Sequence, residues 1–134
     1  MKLRFQGICL ILFLLLGYNQ MKAQKAVWTA PESANELKNP LAENQAATLK
    51  GKKTFNQMCY LCHGMKGKGD GMAGAALDPK PANFLSLRVK NESDGAIFWK
   101  ITHGNPPMMS YKDALSDDQR WQLVNYIRFL EKQE

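Results

Sequence analysis

Two thiols three residues apart, followed at once by an imidazole, make Cys59-Tyr60-Leu61-Cys62-His63 the stretch with the most specific chemistry in this chain. The spacing is that of a c-type haem attachment site. Each cysteine can add across one vinyl group of a porphyrin, so that two thioethers staple the cofactor to the chain. The histidine directly after Cys62 is then held beneath the iron as its proximal ligand. The expected cofactor is therefore one covalent haem c with its iron. Two other readings of the spacing make demands of their own. A thioredoxin-like dithiol wants a βαβ setting, which nothing in the sequence resembles. A structural zinc site wants four nitrogen or sulfur ligands. Only Cys9, inside an apolar N-terminal run, and the lone His103 remain to supply them.

His63 fills one axial position, and the occupant of the other decides between carrying electrons and binding small ligands. The candidates lie in His103-Gly-Asn-Pro-Pro-Met108-Met109-Ser-Tyr111. A thioether is a soft ligand that favours ferrous iron, and Met/His ligation raises the reduction potential. Pro106 and Pro107 restrict the backbone and would hold such a loop in place. Both methionines could instead be ordinary fillers of core gaps. His103 would give bis-histidine ligation, but it falls at an expected helix end, where the dipole alone favours an imidazole. An open sixth position, binding a gas or peroxide, is the alternative function, and no distal histidine or arginine stands in a suitable sequence context.

Helices have to position these groups. From about Asn44 to Cys59 the pattern is helical, with Leu49, Phe55 and Cys59 on an apolar face and Lys50, Lys52, Lys53, Asn56 and Gln57 opposite. Gly51 inside it costs about 1 kcal/mol against alanine, so close approach of a second helix is expected there. Gly64 to Lys80 reads as a glycine-rich loop wrapping an edge of the porphyrin. It lacks the Gly-Lys-Ser/Thr ending of a P-loop and the spacing of a dinucleotide fingerprint, which excludes a nucleotide site. Asp78 to Phe84 is a stiff connector leading into a short helical turn. Ser93 caps a helix over Asp94–His103, with Gly104 as its stop and Ile97, Phe98 and Ile101 on its buried face. Ser116 and Gln119 form a capping box for the last helix, where Trp121, Val124, Ile127 and Leu130 recur every three residues beside Tyr126. No alternating strand is evident, so the fold class is all-α.

The 134 residues suffice for one ordinary domain. Residues 1–23 read as a signal peptide: Lys2 and Arg4, then an apolar run from Ile8 to Leu16, then Ala23 as the residue before the cut. The run is short against the roughly 20 residues of a spanning helix. A membrane role is thus expected only through a partner or an uncleaved signal, and the expected location is periplasmic. Residues 24–43, punctuated by Pro31 and Pro40, read as an arm or linker with Trp28 and Leu37 as contact points, and residues 44–134 as the folded domain. Loss of the signal takes three of the 18 basic residues and none of the 12 acidic ones, reducing the net charge from +6 to +3. That mild balance, without aromatic–basic clusters, excludes a nucleic-acid surface. With no spare cysteine for a disulfide, so small a core needs a staple, and a covalent porphyrin supplies one.

In order along the chain, Gly51-Lys-Lys-Thr-Phe55, Cys59-Tyr-Leu-Cys-His-Gly64, Gly67-Lys-Gly-Asp-Gly71, Pro79 to Phe84, Asp94 to Ile101, Met108-Met-Ser-Tyr111 and Trp121 to Ile127 resemble a class I mono-haem c-type cytochrome domain of the bacterial periplasmic kind. The resemblance spans about Ala46 to Leu130. It implies N- and C-terminal helices crossing at close range, with Gly51, Phe55 and Tyr126 at the crossing. It also implies Met108, three residues before Tyr111, as the axial ligand opposite His63, with Met109 where the family usually has proline. Pro81 matches a family position on the histidine side of the haem. The implied function is one-electron transfer between redox partner proteins, a respiratory donor and acceptor, with no bond made or broken and hence no enzyme activity of its own.

Overall fold

A computed structural model describes residues 27–133; the expected signal segment, with Cys9, lies outside the described residues. The elements are α1 (Gln45–Met58), α2 (Tyr60–His63), α3 (Leu87–Lys90), α4 (Asp94–His103) and α5 (Asp117–Glu131), with short 3-10 turns at Glu32–Glu36 and Met72–Gly74. Among the described residues there is no strand, only an isolated bridge between Asn105 and Met108. The fold is therefore a small all-α one. No described helix is long and apolar enough to cross a membrane.

Each main helix starts on a side-chain cap. Asn44 accepts from the Ala47 amide at 3.0 Å, and Ser93 accepts from the Ala96 amide at 3.0 Å. Ser116 and Gln119 satisfy each other's backbone amides in a capping box. These contacts settle amides that have no partner inside the helix. Gly104, at φ 68°, ends α4 where an L-residue would be strained.

The core is organised by the crossing of α1 over α5. A Cβ built at Gly51 would overlap the carbonyl group of Gln122, so the two backbones touch there. Phe55, 1% exposed, packs its ring 5.2 Å from that of Tyr126 and 6.3 Å from that of Phe84. Trp121 of α5 stacks on Phe98 of α4 at 4.0 Å. Leu49 corrects the sequence expectation: it is 63% exposed. The buried positions of α1 are Ala47, Gly51, Thr54 and Phe55. Two residues from Ala47 and two from Gly51, Leu49 is rotated about 200° away from both on a helix of 3.6 residues per turn.

The segment expected as an arm is tied down. Ala34 is 2% exposed and its carbonyl occupies the space a side chain at Gly95 would need. Asn39 donates to Asp94 at 2.9 Å and to Asn125 at 2.8 Å, and Asn125 donates in turn to the Leu41 carbonyl at 2.5 Å. Leu37 remains 43% exposed, while Trp28 packs beside Trp99.

Helix propensity alone would make Gly51→Ala stabilising by about 1 kcal/mol. The backbone contact reverses the sign, and forced overpacking of this kind costs typically about 1–3 kcal/mol. Urea unfolding of the haem-loaded variant should give a lower midpoint than the wild type.

Candidate functional site

Cys59 caps the C-terminus of α1, its amide bonded to the Phe55 carbonyl at 2.9 Å, and the chain turns directly into α2. The His63 amide bonds to the Cys59 carbonyl at 2.9 Å, so both thiols and the imidazole sit on one helical turn. Gly64, at φ 77°, ends that turn, and the glycine-rich loop folds back beneath it. Gly69 and Gly71 donate their amides to the carbonyls of His63 and Cys62, at 2.8 and 3.2 Å. The loop thus supplies hydrogen bonds to the motif's backbone. None of residues 64–80 lines the cleft described below, which differs from the expectation that the loop wraps the porphyrin. The carbonyls at the end of a four-residue helix need donors, and the glycine amides are the ones that reach them.

Two contacts fix the His63 ring. Its Nδ1 lies 3.1 Å from the Ala82 carbonyl, which can only accept, so Nδ1 carries the proton and Nε2 keeps a free lone pair. The ring stacks on Phe84, with centroids 4.6 Å apart and planes 17° from parallel. Burial pulls the pKa of His63 down, with the Ala82 carbonyl opposing it, so the neutral form needed for iron ligation dominates at neutral pH. Pro81 precedes Ala82 and leads the connector into this contact.

Beside the motif lies a cleft of about 700 Å³, part of it open to solvent, lined by Cys59, His63, Met108 and the apolar side chains of Phe55, Phe84, Val89, Ile97, Ile101, Leu123 and Ile127. Met108 comes from the turn after α4. Asn105 and Met108 exchange backbone hydrogen bonds at 2.9 and 2.8 Å across Pro106 and Pro107. The turn is tied to α4 by the Ser110 hydroxyl on the Thr102 carbonyl at 2.6 Å and the Tyr111 amide on the Ile101 carbonyl at 3.2 Å. The Tyr111 hydroxyl reaches the Met58 carbonyl at 3.3 Å, joining this loop to the end of α1. Met109 points away, 60% exposed. His103 is exposed, stacked on Trp99 at 4.2 Å with Nδ1 at 2.8 Å from that residue's carbonyl, and it does not line the cleft. Cys62 is half-buried and also absent from the lining.

Among the described residues, Cys59 and Cys62 are free of disulfides. Burial, reinforced by the neighbouring Cys62, pushes the Cys59 thiol up to about 12. Reactive redox cysteines have depressed pKa values, so a dithiol redox pair does not fit. Among the described residues no group of three or more His, Cys, Asp or Glu side chains could hold a metal ion, which leaves zinc without a ligand set. An apolar cleft with a thiol on its wall and an imidazole presenting a free Nε2 does fit a covalently held porphyrin. Among the cleft residues that the sequence does not mark as site residues, Trp28, Arg88, Glu92 and Lys100 bring polar groups or a large aromatic ring. They come from the arm, α3, the loop after it and α4, and no spacing signal links them.

This arrangement defines a mono-haem c-type cytochrome domain. The profile of the family described as "Cytochrome C oxidase, cbb3-type, subunit III" matches residues 46–127, more than half of the chain, and the chain belongs to that family. Among solved structures it is similar to a chain of the Kuenenia stuttgartiensis reducing HAO-like protein complex, with a TM-score of 0.60 and 30% sequence identity. The match covers 70% of this chain and 49% of that one, so the chain spans about half the length of this neighbour. No curated protein matches. The cofactor is a covalently bound haem c, and the domain is of a haem-based electron-transfer kind.

Phe84 supports His63 and Phe55 together. Its replacement by alanine should cost about 3–5 kcal/mol, the usual range for emptying a buried aromatic site. Thermal unfolding followed at the haem absorption checks this, and Phe84→Leu should lose much less.

Proposed function

We propose that the protein is an exported, periplasmic electron carrier or an electron-accepting subunit of a respiratory complex. In this reading Cys59 and Cys62 would carry the two thioethers, and His63 and Met108 would ligate the iron. The observation that carries it is the placement of Met108 with His63 in one cleft while Met109 is turned to solvent. When bound, the cofactor supplies a single iron that cycles between ferric and ferrous states. The chain's own residues do the rest. Ala82 and Phe84 hold His63 in the tautomer and orientation that ligation requires. The Asn105–Met108 turn, anchored through Ser110 and Tyr111, presents the thioether on a restricted backbone. The apolar side chains of the cleft limit contact with water, and a drier shell with a soft ligand raises the potential.

Transfer to a partner needs a surface near the motif. Leu61, between the two cysteines, is 47% exposed, and Met65, two residues after His63, is 60% exposed. Exposed apolar groups beside a redox site suit a partner that docks there. The similar Kuenenia chain is part of a protein complex, in keeping with a redox partner for this one. Export is inferred from the charged and apolar pattern of residues 1–23.

Met108→Ala should abolish the iron–sulfur charge-transfer absorption of the ferric protein and lower its midpoint potential, and Met109→Ala should leave both close to wild type. An unchanged spectrum in Met108→Ala would overturn the ligand assignment. Rapid carbon monoxide binding by the native ferrous protein would mark an open sixth position instead.

A further inference from the structure

The family profile begins at residue 46, yet the preceding segment is fixed to the domain at several points. Besides the Ala34–Gly95 contact and the Asn39–Asp94–Asn125 bonds, Ser93 donates its hydroxyl to Asn35 at 2.7 Å. Asp94 is itself held by Arg128 Nε at 2.7 Å. The arm therefore rides on the start of α4 and the middle of α5. At its beginning, Trp28 reaches the cleft wall.

There it meets the one polar corner of an otherwise apolar cleft. Lys100 pairs with Glu92 at 2.5 Å, and their side chains are only 12% and 18% exposed. The Trp28 ring lies 5.3 Å from Lys100 Nζ and 6.4 Å from the ring of Trp99. Arg88, also on the cleft wall, has no ion-pair partner among the described residues, so one positive charge is left over at this corner.

We propose that residues 27–41 form a clamp that seals this corner of the haem cleft, with Trp28 as the positioning residue through which the clamp sets the reduction potential. The proposal rests on the haem reading of the cleft. Water beside the cofactor favours the more highly charged ferric form, and solvent exposure is one of the protein's levers on potential. A large aromatic body over a partly desolvated ion pair excludes that water. Asn39 does not line the cleft. Its influence on the iron runs through the arm it anchors.

A double-mutant cycle on the intact haem-loaded protein separates a clamp from a merely stabilising arm. Trp28→Leu should lower the midpoint potential, and Trp28→Phe should lower it less. Asn39→Ala should shift it in the same direction in the wild type and add little in the Trp28→Leu background. An unchanged potential in Trp28→Leu, even with a lowered melting temperature, would overturn the clamp. So would an Asn39→Ala shift that persists in full without Trp28. The charge-transfer absorption, recorded first for each protein, reports whether axial ligation is intact, so failure of the ligand assignment is distinguished from failure of the clamp.

Discussion

The contact between the backbones of α1 and α5 at Gly51 and Gln122 is the constraint from which the rest of the site follows. It brings Phe55 against Tyr126 and sets the direction in which α1 delivers Cys59. Move α1 outward by the width of a methyl group and the turn holding Cys59, Cys62 and His63 moves with it. The opposite wall, with Ile97, Ile101 and Met108, belongs to α4 and its following loop, which pack on α5 through Phe98 and Trp121. α5 is thus the common reference for both walls. Its capping box and first-turn aspartates secure it at its N-terminal end.

A second layer of the design is polar. Arg128 on α5 binds Asp94 and Glu131 and reaches the carbonyls of Lys90 and Glu92. Burial opposes its charge, but the two carboxylates more than offset that and raise its pKa. One guanidinium therefore ties together the end of α3, the start of α4 and the last turn of α5. Because Asp94 also accepts from Asn39, the arm joins the same network. Desolvation offsets much of the attraction in partly shielded pairs of this kind.

What could be read from the sequence was whatever is encoded locally. Asn44, Ser93, Ser116 and Gln119 announce their helix starts because a cap is a contact over three residues. Gly51 announced a crossing because a glycine inside a helix needs a reason. Leu49 lies off the buried stripe, which runs through Ala47, Gly51 and Thr54, residues too small or polar to show as an apolar face. The packing of the arm was not legible, since it depends on Asn39, Asn125 and a close approach at Gly95, polar and small residues with no periodic signature. The polar corner of the cleft was missed for the same reason. Its members lie 4 to 72 positions apart, and only the folded chain brings them together.

The burial of Cys59 bears on the reactivity of its thiol. Burial beside Cys62 raises its pKa, and a protonated thiol is a poorer nucleophile than a thiolate. The wall that shelters the cleft therefore also quiets the one cysteine that lines it.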